Sequence, residues 1–288
     1  MWNETDKVYN LKGFLVGNGA THWDFDVSPS YPRTLYGFNM IPKKDMDYFD
    51  ENNCTYYFND FRPHSGPEGC DAVWNHMNDL AKDLWWYDLY MPADTILDAK
   101  MMTPEERMGK TVVDGVEKTY RRGFTPREYT PWLANVNPGS RTLDLVMNDL
   151  LTDYLNREDV RAALHIPSDI PAWESCSTTL QYNLAQEGSF WIYPIMKGAG
   201  IKMIFYSGDA DGAVNTYGTK RWIKELDWDV TTDWTAWLAD DGQVAGYYEQ
   251  YDGLEFATIK GVGHLAPKYA QANMLKLVTN WIHGNSFV

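Results

Sequence analysis

The hydrophobic and polar positions of this chain form blocks that predict strands and helices in alternation. Three short apolar runs end in glycine-containing turns: "YNLKGFLVGNG" (residues 9–19), "MIFYSGDADGAVN" (203–215) and "EFATIKGVGH" (255–264). This pattern is typical of buried strands that lead into loops. "TYGTKRWIKEL" (216–226) and "YAQANMLKLVTNWIHG" (269–284) have helical spacing instead. Strands that alternate with helices indicate an α/β core with a parallel sheet.

The middle of the chain differs from this core. From about residue 28 to 131, tryptophan and tyrosine lie among acidic residues, and apolar side chains recur at helical spacing in residues 69–90. We therefore predict a mainly helical insertion, residues 31–145, over the strand ends. It would separate two core segments, residues 1–30 and 146–288.

Two further segments of the chain leave local alternatives open. "GKTVVDGVEKTYRRGF" (109–124) fits either a hairpin or an irregular loop. "TLDLVMNDLLTDYLNREDVRAALHI" (142–166) predicts one helix, or two helices with a break near Asn156.

Composition excludes some classes of partner. The formal net charge is −15, and lysine and arginine form no stripe, which argues against nucleic acid as a partner. No run approaches the roughly 18 apolar residues of a membrane helix, so we predict no membrane span. The 13 tryptophans and 19 tyrosines predict a core and clefts rich in aromatic rings.

The cysteines and two glycosylation sequons bear on the compartment. Three cysteines leave at least one without an internal partner. They fit three reduced thiols in a cytosolic protein, or one local bridge plus a cysteine whose partner is outside this chain. Asn3 and Asn53 begin Asn-x-Thr triplets and are candidate glycosylation sites.

The candidate chemistry lies after two of the predicted strands. Asp209 and Asp211 follow one strand, and His264 follows the next, 53 residues after Asp211. An acid followed by a histidine is the second part of the Ser…Asp…His order of α/β-hydrolases. There the imidazole takes the proton of a serine hydroxyl, and the carboxylate orients the imidazole and stabilises its charged form.

Metal and nucleotide chemistry find less support in the sequence. Asp209-x-Asp211-Gly212 resembles part of a calcium loop, but the third acidic position and the distal glutamate are missing. No HExxH, CxxC, GxxxxGK[ST] or GxGxxG motif occurs. We therefore predict no metal and no cofactor.

Five motifs in collinear order resemble the serine carboxypeptidase family of α/β-hydrolases, which includes the lysosomal protective protein and vacuolar enzymes. They are "NLKGFLVGNG", "YDLY" (87–90), "YLNREDVRAALHIP" followed by "WESCS", "FYSGDADGAVN", and the block from Val244 to Gly284. The resemblance covers essentially the whole chain, more loosely between residues 93 and 131. It matches only the C-terminal two-thirds of the family pattern. It implies an α/β-hydrolase fold, with an incomplete central sheet and a helical lid.

The resemblance assigns roles to two residues and leaves one role empty. It implies that Asp211 is the catalytic acid and His264 the general base. The family's nucleophile lies in a Gly-Glu-Ser-Tyr-Ala/Gly-Gly elbow, and no serine of this chain has such a frame. We expect that serine upstream of Met1, which makes this chain a fragment of the active enzyme.

The resemblance also orders the cysteines. Cys54 and Cys70 are similar to a bridge inside the family's insertion. Cys176, in "WESCS", is similar to a cysteine that bridges to the segment after Gly-Gly-Pro-Gly, a motif that this chain lacks. We therefore expect Cys54 to pair with Cys70, and the partner of Cys176 to lie upstream.

The function that follows from the resemblance is a serine-type carboxypeptidase that releases C-terminal residues from peptides at acidic pH. Its setting would be secreted or lysosome- or vacuole-like. Two alternatives remain open: a catalytically inactive homologue that binds or stabilises a partner, and an acyltransferase in which an alcohol replaces water. The sequence predicts no oligomeric state.

Overall fold

The computed structural model describes residues 10–57, 64–91, 108–113, 116–121, 151–174, 185 and 188–287. Asn3 and Cys176 lie outside these residues. The chain forms two compact units, one of residues 1–91 and 184–288 and one of residues 92–183. The predicted insertion boundaries at residues 31 and 145 do not coincide with this division and stay a prediction.

The first unit is built around a five-stranded mixed sheet. In chain order its strands are β1 (Gly13–Gly17), β4 (Lys202–Gly208), β5 (Val230–Leu238), β6 (Val244–Tyr251) and β7 (Leu254–Ile259). The spatial order is β1-β4-β7-β6-β5. β1, β4 and β7 are parallel, and β6 and β5 continue the sheet antiparallel. The predicted α/β core is confirmed, and the sheet is mixed rather than wholly parallel because β6 and β5 run antiparallel.

Apolar side chains of the central strands alternate between two helical layers. On one face, Met203, Phe205 and Phe256 pack with Trp222 and Tyr193. On the other face, Ile204, Ala257 and Ile259 pack with residues of the C-terminal helix. The α-helices with both ends described are α1 (Tyr31–Gly37), α2 (Lys43–Glu51), α3 (Gly69–Ala81), α4 (Glu158–Ala163), α5 (Ile192–Gly198), α6 (Thr216–Glu225), α7 (Ala266–Tyr269) and α8 (Gln271–His283).

Two features of the sheet differ from expectation. β1 is half-buried rather than buried, because among the described residues its outer edge pairs with no strand. The hairpin of β5 and β6 has no clear signal in the sequence. Its register shifts at three places, and such irregularities interrupt the alternation that would reveal a strand.

Helices α1 to α3 follow β1 and form a separate apolar cluster. Leu35, Met46, Phe49 and Met77 are buried in it. A disulfide joins Cys54 and Cys70, with 5.6 Å between their Cα atoms, as expected.

The second unit contains an antiparallel hairpin of β2 (Met108–Val113) and β3 (Val116–Arg121), which decides between the hairpin and the loop. In the same unit the helix of residues 151–155 ends at Asn156, and α4 begins two residues later. The Asn156 side chain donates to the carbonyls of Thr152 and Trp173. The predicted break is therefore present.

Candidate active site

The site is formed where two parallel strands end side by side. Gly208, the last residue of β4, is paired with Ile259, the last residue of β7. The acid loop (residues 209–215) follows β4, and the histidine loop (260–265) follows β7. Because carboxyl ends of parallel strands meet at one sheet edge, the two loops are neighbours.

Asp211 and His264 are in direct contact. The Nδ1 atom of His264 lies 2.7 Å from Oδ2 of Asp211. The side chain of Asp211 is completely buried, whereas that of His264 is 28% exposed. Since Nδ1 faces the carboxylate, Nε2 is the nitrogen left to serve a reacting group. The two residues predicted from the sequence are thus brought together.

Each carboxylate oxygen of Asp211 accepts hydrogen bonds from two groups. Oδ1 accepts from the backbone N–H groups of Ala213 at 2.8 Å and Val214 at 3.3 Å. Oδ2 accepts from Nδ2 of Asn18 at 2.7 Å and contacts His264. A buried carboxylate keeps its charge only when such donors replace water.

Asp209, the other candidate acid, has a different position. Its Oδ1 accepts from the backbone N–H of Gly261 at 2.7 Å, which ties the acid loop to the histidine loop. Burial raises the pKa of its carboxyl, although the Gly261 hydrogen bond lowers it in part. Asp209 therefore braces the two loops, and Asp211 is the aspartate at the imidazole.

Residues 86–89 form hydrogen bonds with both the acid loop and the histidine loop. The Tyr87 carbonyl accepts from the His264 backbone N–H at 2.7 Å, and the tyrosine ring lies 5.0 Å from the imidazole centroid. Oδ2 of Asp88 accepts from the Gly263 backbone N–H at 3.0 Å. Added side-chain carbon at Gly263 would lie 2.0 Å from the Tyr87 carbonyl oxygen, so only glycine fits there.

Three residues of the site, Asn18, Tyr87 and Asp88, were not predicted from the sequence. Asn18 lies in the Gly-Asn-Gly turn after β1, and Tyr87 and Asp88 begin the "YDLY" motif. Both motifs were visible, but no local pattern shows which distant loop they contact.

The remaining predicted sites are outside this cluster. Asn53 is exposed with a left-handed backbone, φ 50°, and its glycosylation stays a prediction. No group of three His, Cys, Asp or Glu side chains within the described ranges could hold a metal ion. In the same part of the chain, no helix is long and apolar enough to cross a membrane.

An acid–histidine pair beyond the ends of parallel strands is typical of an α/β-hydrolase. The family model described as "Serine carboxypeptidase" matches residues 2–284. The chain therefore belongs to the serine carboxypeptidase family, and the predicted resemblance is confirmed.

Several curated proteins are similar to the chain. Serine carboxypeptidase-like 20 of Arabidopsis thaliana is 29% identical over 98% of this chain and 59% of its own length. Serine carboxypeptidase 1 of Hordeum vulgare is 27% identical, over 96% and 57%. Serine carboxypeptidase ctsa-4.1 of Caenorhabditis elegans is 27% identical, over 99% and 60%. The chain thus spans a little more than half the length of these relatives.

The chain is also similar to a solved structure, that of Kex1(delta)p, a prohormone-processing carboxypeptidase from Saccharomyces cerevisiae. The TM-score is 0.56 and the identity 16%, over 94% of this chain and 55% of that one. The likeness confirms the α/β-hydrolase fold and, at this identity, concerns the fold alone.

Proposed function

We propose that this chain is the part of a serine carboxypeptidase that carries the catalytic acid and base. The observation that carries the proposal is the 2.7 Å contact between Nδ1 of His264 and the buried carboxylate of Asp211. That contact holds the imidazole with Nδ1 protonated and Nε2 free to accept a proton.

The proposed reaction is acyl transfer to water. Nε2 of His264 takes the proton of a serine hydroxyl as its oxygen attacks the carbonyl carbon of the last peptide bond. The imidazolium then gives the proton to the leaving amine, and the C-terminal residue departs. Water, activated by the same imidazole, hydrolyses the acyl-enzyme. Asp211 stabilises the imidazolium in both steps.

We propose that the serine of this reaction lies in sequence beyond these 288 residues. Ser207, the serine nearest to the acid loop in sequence, lies within β4 and is fully buried, so a peptide cannot reach it. The outer edge of β1, unpaired among the described residues, fits a further parallel strand. Such a strand would end at the same sheet edge as the two catalytic loops.

One buried and two partly buried carboxyls support a protein that is more stable at acidic pH. Burial raises the pKa of Asp26 to about 7, and it also raises the pKa values of Asp209 and Glu255. A folded state that binds more protons than the unfolded chain loses stability as pH rises. The Cys54–Cys70 disulfide is in turn typical of an oxidising setting, so we propose a secreted or vacuolar location.

The test replaces His264 by alanine in the protein expressed with any in-frame sequence that precedes residue 1. We expect turnover of a peptide with a free C-terminus to fall by roughly 10⁴-fold, because no group would deprotonate the serine. His283→Ala removes an exposed histidine of α8 and serves as the matched control.

The choice of substrate separates the possible functions. A carboxypeptidase cleaves the free peptide and spares the same peptide with an amidated C-terminus. Cleavage of both would point to another hydrolase, and transfer of the acyl group to an added alcohol would point to an acyltransferase. If His264→Ala leaves the protein's function unchanged, the catalytic proposal is wrong and a binding protein becomes the better explanation.

A further inference from the structure

Beyond the acid and the base, we propose that Asn18 is a positioning residue for the reaction. Its side-chain amide fixes the orientation of the Asp211 carboxylate, and through it the imidazole of His264. This inference rests on the proposed function and adds a third element to the site, the turn after β1. The two residues are 193 positions apart in the sequence.

Both ends of the Asn18 amide are engaged at the end of β4. Nδ2 donates to Oδ2 of Asp211 at 2.7 Å, and Oδ1 accepts from the backbone N–H of Gly208 at 3.1 Å. Asn18 is 4% exposed, and its own backbone N–H donates to the Tyr206 carbonyl at 2.9 Å. The second hydrogen bond of the amide identifies which end is nitrogen, because Gly208 N–H requires an acceptor.

The position of the donor explains why an amide is needed. Two backbone N–H groups hold Oδ1 of Asp211 in place. They do not fix Oδ2, and the carboxylate plane could turn about Oδ1 if the imidazole were the single group in contact with Oδ2. Asn18 supplies the second donor to Oδ2 from the turn after the neighbouring strand β1. A charge-assisted hydrogen bond of this kind is stronger than one between neutral groups. Without it, the direction in which Asp211 receives Nδ1–H of His264 is no longer fixed.

The backbone of Asn18 makes a clean test possible. Its φ is 44°, in the left-handed region, which asparagine, aspartate and glycine tolerate better than other residues. Asn18→Gly therefore removes the amide without straining the turn. Asn18→Asp keeps the shape and the acceptor for Gly208 N–H, and replaces the donor by a carboxyl beside Asp211.

Asn18→Asp gives a readout that a merely structural role would not move. At acidic pH the new carboxyl is protonated and its O–H can donate to Asp211 in place of Nδ2. As pH rises, the two carboxyls first share one proton, because like charges in contact disfavour ionisation of both. At still higher pH both carboxyls become charged. The positioning of Asp211 should therefore be restored at low pH and lost at higher pH. The Asn18→Gly variant should lack it at all pH values.

The experiment follows the Nδ1–H proton and the ring nitrogens of His264 by NMR in the histidine-labelled protein, alongside peptide turnover. In wild type we expect a downfield Nδ1–H resonance. We expect its loss in Asn18→Gly and its pH-dependent return in Asn18→Asp. Turnover should fall about 10- to 100-fold in Asn18→Gly, the effect of one lost hydrogen bond to a charged group, mostly in kcat.

Asn39 supplies the matched control, since it is exposed and also has a positive φ, 59°. Asn39→Gly and Asn39→Asp should leave the His264 signal and turnover unchanged. A wild-type His264 signal in both Asn18 variants would overturn the inference, whatever their stability. If the wild-type protein cleaves no peptide, the proposed function fails, and the His264 signal still decides the role of Asn18.

Discussion

Two buried aspartates of neighbouring loops show how hydrogen-bond donors decide what a buried carboxyl does. Asp211, in the acid loop, and Asp26, in the loop after β1, are each at most 1% exposed. The two oxygens of Asp211 are both engaged, by two backbone N–H groups and two side chains. Oδ2 of Asp26 accepts from the N–H groups of Thr21 and His22, whereas Oδ1 has no hydrogen-bond partner among the residues that the structure describes.

The two aspartates differ in how many hydrogen-bond donors face their carboxylate oxygens. For Asp26, burial outweighs its two backbone hydrogen bonds and raises the pKa to about 7. Asp211 has the full set of donors that a buried negative charge requires. The same residue type is thus proposed to support an imidazolium in one loop and is expected to make stability depend on pH in the other.

The largest expected effect comes from removing the charge of Asp211 while keeping its shape. Asp211→Asn should lower kcat by roughly 10⁴-fold, because the amide no longer fixes the imidazole tautomer or stabilises its charged form. Peptide turnover by the full protein at saturating substrate measures this. A loss below ten-fold would show that Asp211 and Asp26 do not differ in function.

At Asp26 the expected effect is on the pH dependence of stability. The pKa of Asp26 in the folded state, about 7, exceeds the ordinary value of 3.8. The contribution of Asp26 to the free energy of unfolding is therefore fully present below pH 3.8 and is lost as the pH rises to about 7. A shift of about three units corresponds to roughly 4 kcal/mol of unfolding free energy between acidic and neutral pH.

Asp26→Asn should remove most of that pH dependence, as measured by urea unfolding at several pH values. Asp229→Asn, at an exposed carboxyl, is the matched control and should leave the wild-type dependence intact. A wild-type pH profile in the Asp26 variant would show that another group is responsible.

A smaller effect on stability, and none on chemistry, is expected for the disulfide. The bridge between Cys54 and Cys70 closes a loop with a sequence separation of 16. Replacing both cysteines by serine should reduce the free energy of unfolding by about 3 kcal/mol, through the added freedom of the unfolded chain. Thermal unfolding measures the loss, and a fall in kcat at a temperature where the variant is folded would contradict it.

The smallest effect is expected at Asp209, which shares the acid loop with Asp211. Asp209→Asn keeps an acceptor for the Gly261 N–H, so turnover should change by no more than a few-fold (about 1 kcal/mol or less). Asp209→Ala removes the acceptor and should cost more. If the asparagine variant were as inactive as Asp211→Asn, the assignment of the catalytic acid would have to be reversed.

Much of the fold and of the candidate site followed from local patterns in the sequence. The strands that lead to Asp211 and His264, the helices after them and the break at Asn156 are set by periodicity and turn residues close in sequence. The choice of Asp211 over Asp209 came from a motif, and the structure adds the contact that distinguishes them.

Other features depend on pairings between distant segments. The pairing of β1 with β4 follows from the order of strands in the sheet, which no local period encodes. The β5–β6 hairpin was hidden because its register shifts interrupt strict alternation.

By itself, therefore, the sequence predicted Asp211 and His264 as acid and base, from motifs that resemble those of a family. It determined the strands that precede them, because strand periodicity and turn residues are local signals. Only the tertiary structure decided how that chemistry is held. Asn18 comes to Asp211 from the turn after β1, and the backbone of Tyr87 comes to the histidine loop. Asp26 is enclosed with one oxygen that has no partner in the described part of the chain. Burial and donor geometry are properties of packed neighbours, and those neighbours meet only when the chain has folded.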